Sequence, residues 1–161
     1  MSPATVTTRL FEGPDLRALY AIEEACFNPP LRFSRALMRS LAHDPECRTW
    51  LSVVDNIRAG FAIVSVRGQD SLPDTAIDSA SAYIWTIEVL PAYRRIGVAR
   101  QLLRCLEESA REAGCEAIEL HVSELNKHAL ALYEGAGFVP CGIERDYYGP
   151  DAHGIQYRKR F

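Results

Sequence analysis

Three groups of residues in this chain have the chemistry of a reactive site. His121 stands near the end of the apolar run "AIELHV", Glu88 interrupts the apolar run "AYIWTIEV", and Arg94, Arg95 and Arg100 surround Gly97 in "YRRIGVARQLL". An imidazole with an ordinary pKa of about 6.5 accepts a proton near neutral pH, directly or through water. The other reading of His121 is a satisfied histidine at the end of a central strand. A carboxylate inside an apolar strand is costly to bury, and burial raises its pKa toward the range of a base, unless it turns to solvent at a bulge. His121 ranks first as a candidate base and Glu88 second.

The arginines and the glycine point to an anion. A helix starting at Gly97 leaves its first backbone N–H groups without intrahelical partners and carries partial positive charge at that end. Glycine lets a phosphate approach the backbone, the small Ala99 keeps the first turn open, and Val98 begins the apolar face. Guanidinium groups can pair with phosphate oxygens, so the ligand this pattern fits is a pyrophosphate. A solvated basic helix start is the alternative. Neither GxxxxGK[ST] nor GxGxxG with a later acidic residue occurs, which argues against a nucleoside triphosphate or a dinucleotide.

These residues need a scaffold of strands and helices. "TVTTRLF" reads as a strand, and "PDLRALYAIEEACF" as a helix capped by Asp15, with Leu16, Leu19, Tyr20 and Ala25 on its apolar face. "FSRALMRSLA" reads as a second helix capped by Ser34. "TWLSVVD" and "GFAIVSV" form a hairpin around "NIRA", and residues 69–80 read as a polar surface loop. "AYIWTIEV" is a buried strand leading into the arginines. Val98, Leu102, Leu103, Leu106 and Ala110 recur at helical spacing, and a glycine ends that helix at "EAGC". "AIELHV" is a strand and "NKHALALYEGAG" a helix, with "FVPCGIERDYY" and "GIQYRKRF" as closing strands around "GPDAH". The fold class expected is α/β: a mixed, mostly antiparallel sheet with helices on both faces, forming one domain over residues 1–161.

Composition narrows the function classes. With 161 residues, 48% hydrophobic and 24% charged, the chain suits one domain of ordinary core size. A net charge of −3 gives no basic footprint for nucleic acid. No apolar run is long enough for a membrane span, and "MSPATVTTRL" has no secretory pattern, so no membrane partner and a cytoplasmic location are expected. Five scattered cysteines lack CxxC or zinc-like spacing, so they read as thiols, and no metal is expected.

The strand followed by "RRIGVA" resembles the R/Q-x-x-G-x-G/A signature of the GCN5-related N-acetyltransferase superfamily, met by Arg94, Gly97 and Ala99. In "LHVSELNKHALALYEGAGF", Asn126, Leu132, Tyr133, Gly137 and Phe138 are similar to a second signature of that superfamily, in the expected order and separation. The resemblance covers essentially the whole chain and implies acetyl-CoA as cosubstrate. By it, Ile87, Val89, Arg94, Arg95, Gly97, Val98, Ala99, Arg100, Asn126 and Tyr133 would hold the cosubstrate, with a backbone N–H near Val89 facing the oxyanion.

Within the superfamily, "YIWTIEVLPAYRRIG" and "LHVSELN" most resemble protein N-terminal α-acetyltransferases of the NatE type. That likeness implies Tyr83 and His121 as a base pair acting through water, and Tyr133 as the acid for the departing sulfur. It also implies Phe27, Pro29 and Leu31 of "CFNPPLRF", with Pro30, as a peptide pocket, and Tyr147 and Tyr148 as residues that hold the peptide. Alternating strand aromatics, or a loop anchor packed on the core, are the plain readings of these two stretches. Bacterial ribosomal-protein-alanine acetyltransferases are similar in "NxxxLxLY" and "DYY" but carry a glutamate at the place of His121. The acceptor expected is a protein N-terminus or other primary amine, with the ribosome or an auxiliary subunit as candidate recruiters. Acetylation of a small amine or a lysine, and acyl-CoA sensing without turnover, are the alternatives.

Overall fold

The computed structural model describes residues 2–29, 31–66 and 81–161; Pro30 and the polar stretch at 69–80 lie outside them. Seven strands make one sheet in the order β1-β2-β3-β4-β5-β7-β6. The strands are β1 Val6–Leu10, β2 Cys47–Val54, β3 Ile57–Ser65, β4 Ser81–Val89, β5 Ala117–Ser123, β6 Val139–Glu144 and β7 Gly154–Arg160. Helices α1 Leu16–Cys26, α2 Arg35–His43, α3 Val98–Glu112 and α4 Lys127–Gly135 complete the fold. All pairings are antiparallel except β4 with β5.

Helix α3 follows the apolar spacing in the sequence. Val98, Leu102, Leu103, Leu106 and Ala110 are buried and pack with Val64, Ala82, Ile84, Ile118 and Leu120 of the sheet. Burying each of the larger side chains stabilises the fold by about 1.5–3 kcal/mol before conformational entropy is counted. The opposite sheet face is covered by α1 and α2, where Leu19, Ile22, Met38 and Leu41 meet Leu51, Phe61 and Ile63. Ser34 caps α2 by accepting the Leu37 N–H at 3.1 Å.

Three local expectations need correction. Asp15 occupies the cap position of α1, but its side chain makes no cap bond. Its buried carboxylate instead accepts Arg9 at 2.7 and 2.9 Å, Arg58 at 2.6 Å and the Glu12 N–H at 2.9 Å. Three donors outcompete one helix amide, and the Arg9 guanidinium holds the Asp15 carboxyl far below its ordinary pKa. The buried face of α1 carries Leu19, Ile22 and Glu23. Leu16 is half-buried and Ala25 exposed. The β2–β3 hairpin turns on Asp55 and Asn56 alone, at φ 47° and 68°, a tight turn of left-handed residues that leaves Ile57, Arg58 and Ala59 in β3.

The seam between β4 and β5 positions the site. Their parallel register runs only from Ser81 opposite Ala117 to Ile84 opposite Leu120. Beyond that point β4 continues to Val89 and β5 to Ser123 without pairing, so the sheet opens into a cleft between them. All five cysteines are free thiols. No helix among the described residues is long and apolar enough to cross a membrane.

Candidate active site

The cleft contains a cavity of about 130 Å³. Its β4 wall is Ile84–Ile87 and its β5 wall Leu120–Ser123, with Asn126, Ala129 and Tyr133 from α4 at one side. Glu23, Phe27, Leu31 and Phe33 from α1 and the segment after it close another side, and Tyr148 comes from the β6–β7 loop.

His121 reaches the cavity with a side chain only 4% exposed. Its Nδ1 lies 2.8 Å from the Tyr83 hydroxyl and its Nε2 2.9 Å from Glu144 Oε1. Tyr147 stacks on the imidazole at 4.4 Å between centroids, with planes 13° apart, and its hydroxyl lies 3.3 Å from that of Tyr83. Burial pushes the Tyr83 phenol far above its ordinary pKa, with the Tyr147 hydrogen bond adding to the rise, so Tyr83 stays protonated. Gly154 of β7, opposite Ser123, makes room for this stack: a Cβ there would stand 3.1 Å from three atoms of Tyr147.

The β6–β7 loop is fastened by its own backbone. Tyr148 N–H donates to the Ala152 carbonyl at 2.9 Å, and Asp146 N–H donates to His153 Nδ1 at 3.0 Å. Tyr148 is half-buried, and desolvation raises its phenol as well. Tyr133 is buried at the cavity, edge-on to Phe138 at 5.6 Å, and burial keeps its phenol protonated.

Val89 and Ile87 turn their backbone toward the cleft. Leu90 N–H bonds the Ala59 carbonyl at 2.8 Å while Val89 faces Gly60. In an antiparallel ladder this makes Val89–Gly60 a non-hydrogen-bonded pair, so the N–H and C=O of Val89 point away from β3. Ile87, two residues earlier and opposite Ala62, has the same orientation. The Val89 carbonyl accepts Arg94 Nε at 2.9 Å and the Cys26 thiol at 3.5 Å. Arg94, expected in the anion cradle, is therefore folded back on the end of β4, where a carbonyl without a strand partner attracts it. It fastens the turn into α3.

The helix start has the form of an anion site. Gly97 is left-handed at φ 89°, no side chain caps the helix, and the space where a Gly97 side chain would stand is open. Left without intrahelical acceptors, the first amides of α3 fit a pyrophosphate, with exposed Arg95 and Arg100 beside them. Val98 is buried and anchors this turn, and Ala99 is half-buried against the core. Arg95 Nη2 lies 3.4 Å from His128 Nδ1. Asn126 spends its side-chain oxygen on capping α4 through the Ala129 N–H at 3.1 Å.

On the acceptor side, Phe27 and Leu31 line the cavity, whereas Pro29 is exposed in the turn and does not. Sequence reasoning missed Glu23, whose place on α1 one residue after Ile22 and four after Leu19 was the available signal. Glu23 Oε1 accepts the Phe33 N–H at 2.7 Å, while its Oε2 is buried without a hydrogen-bond partner among the described residues. Glu88 is buried too, and its Oε2 accepts from the Thr86 hydroxyl at 2.8 Å. Desolvation and the neighbouring Glu23 carboxyl raise Glu88 well above the ordinary carboxylate range.

A sheet splayed between a parallel strand pair, with an open glycine-led helix start at one side and a phenol–imidazole pair at the other, defines the acyltransferase class anticipated from the motifs. The model of the acetyltransferase (GNAT) family matches residues 16–138, and the chain belongs to that family. It is 34% identical over 128 residues to the N-alpha-acetyltransferase RimI of Mycobacterium tuberculosis, covering 78% of this chain and 72% of that one. It is 33% identical over 106 residues to streptothricin acetyltransferase of Streptomyces lavendulae, covering 65% of this chain and only 51% of that protein, about half its length. Among solved structures, the ribosomal-protein-S18-alanine N-acetyltransferase of Escherichia coli superposes with a TM-score of 0.80 at 26% identity, covering 97% of this chain and 94% of that one.

Proposed function

We propose that the chain is an acetyl-CoA-dependent N-acetyltransferase whose acceptor is the α-amine of a protein N-terminus. The observation that carries this reading is the Tyr83–His121 hydrogen bond at the cleft, beside an acceptor-side wall of Phe27, Leu31 and Phe33. Two relatives whose names specify N-terminal or S18-alanine acetylation support it.

When bound, acetyl-CoA supplies the thioester carbonyl to be attacked. The first amides of α3, with Arg95 and Arg100, would hold the pyrophosphate, and the Ile87 and Val89 backbone groups would face the acyl arm. An amine attacks only when neutral, and an α-amine of pKa about 8 is far more often neutral at pH 7 than a lysine of about 10.4. His121 with Tyr83 takes the amine proton. Tyr133, kept protonated by burial, is the donor toward the sulfur.

A small-amine acceptor is the second reading, favoured by the Streptomyces relative and by the Glu23 carboxyl at the cavity wall. Release of CoA from acetyl-CoA, followed with peptides varied at their first two residues, with spermidine, and with an N-terminally blocked lysine peptide, separates the two. The expected result is turnover on free N-termini that falls about 10²- to 10⁴-fold in kcat in His121→Ala. Turnover confined to spermidine overturns the N-terminal acceptor, and tight acetyl-CoA binding without turnover on any amine overturns the enzyme reading.

A further inference from the structure

We infer that Glu144 is a positioning residue for this chemistry: it fixes His121 in the tautomer that makes Tyr83 the atom facing the amine. This rests on the base-pair reading above.

A carboxylate oxygen only accepts, so the 2.9 Å contact at Nε2 requires the imidazole to carry its hydrogen there. The neutral ring then has its lone pair at Nδ1, which accepts from the Tyr83 hydroxyl at 2.8 Å. A hydroxyl gives one hydrogen, so toward every other neighbour the Tyr83 oxygen can only accept, including the Tyr147 hydroxyl at 3.3 Å. On this inference the same oxygen receives the proton of an arriving amine, through one water, since Tyr83 is buried beside the cavity-lining His121.

The transfer balances. As the lone pair of the amine nitrogen forms the bond to the acyl carbon, an N–H bond of that nitrogen breaks with its electron pair kept on nitrogen, an O–H forms on Tyr83, and the old Tyr83 O–H breaks as an N–H forms at Nδ1. An imidazolium is left with its Nε2–H on the Glu144 carboxylate, and the proton leaves to solvent when the site resets. The opposite tautomer would point the Nδ1 hydrogen at Tyr83 and leave Nε2 to accept from solvent, so nothing would draw the phenol hydrogen away. The groups facing His121 are Tyr83 from β4, Tyr147 from the loop and Glu144 from β6, and Glu144 is the one charged group among them. Its position follows from sheet order, because β7 lies between β5 and β6 and Glu144 stands opposite Gly154.

The test compares Glu144→Leu and Glu144→Gln in the whole protein, with circular dichroism confirming the fold. Nitrogen-15 spectra of His121 report its tautomer, and steady-state kinetics report kcat and both KM values. In the wild type Nδ1 should resonate as an unprotonated nitrogen. Leucine should produce a tautomer mixture and lower kcat about 10-fold, with the KM for acetyl-CoA unchanged. Glutamine, whose carbonyl still accepts the Nε2–H, should restore the tautomer and most of kcat. Wild-type kcat in Glu144→Leu, an unchanged spectrum, or a loss confined to the acceptor KM overturns the assignment. Failure of the base-pair reading has a different signature, since His121→Ala would then keep its turnover.

Discussion

Gly154→Ala probes the stack of Tyr147 on His121. Glycine at 154 is not in the left-handed region, so the backbone accepts alanine without strain, and the whole effect must come from the new methyl group. That methyl would stand 3.1 Å from Cβ, Cγ and Cδ1 of Tyr147, against an ordinary carbon contact of about 3.5–4.0 Å, so the ring must retreat by roughly half an ångström. It is held from other directions by the 4.4 Å stack on His121 and the edge contact with Tyr148 at 4.8 Å. Overpacking of this kind costs about 1–3 kcal/mol, offset by about 0.4–1 kcal/mol from removing glycine freedom in the unfolded chain. The net is a loss of up to about 2.6 kcal/mol, or as much as a few degrees in Tm for a chain of this size, read by thermal unfolding. Weakening an aromatic contact of about 0.5–1.5 kcal/mol should lower kcat roughly 2- to 10-fold. The decisive measurement is a double-mutant cycle with Tyr147→Ala: once the ring is gone, alanine at 154 should be neutral or stabilising. An equal penalty for Gly154→Ala in both backgrounds would refute the steric argument.

Two further outcomes follow from buried charge. Asp15→Asn should lose about 2–3 kcal/mol at pH 7, less than a fully buried pair because Arg9 and Arg58 are part-exposed at 38% and 44%. Since the folded pKa of Asp15 is depressed, its contribution is present above the unfolded value near about 3.9 and lost as pH falls, so wild-type Tm should drop more steeply on acidification than that of Asp15→Asn. For Glu88 the sign reverses. Its folded pKa is raised, so wild-type stability declines as pH rises above about 4.3, and Glu88→Gln should be more stable than wild type at pH 8 by chemical denaturation. The same variant should keep kcat within about 3-fold if His121 is the base as proposed, since a general base contributes about 10²- to 10⁴-fold; a loss on that scale would return the role to Glu88.

The sequence was most legible where one periodicity governed one element. The five apolar positions of α3 and the buried run of β4 appear in the fold as their patterns require. It was least legible where a side chain's partner comes from a distant strand. Asp15 looked like a helix cap because Arg58, 43 residues away, could not be seen beside it. The contact of Arg94 with the Val89 carbonyl was not legible, because that carbonyl becomes free only where β4 leaves β5. Glu144 carried no signal at all: β7 inserts between β5 and β6, so the residue that meets His121 is set by an inversion of chain order that local patterns do not encode.

The short β4–β5 seam gives this sheet an edge in its interior. Edge strands normally invite another chain, and proteins blunt them with charge, proline or a covering helix. Here the rungs that β5 leaves unpaired, the Ile87 backbone and the Val89 N–H, face a cleft along which a slender amide-bearing molecule can lie as a surrogate strand, while the Val89 carbonyl is already held by Arg94. Such a ligand would knit the two half-sheets together, so that occupancy of the cleft would be felt as stiffness in strands on both sides of it.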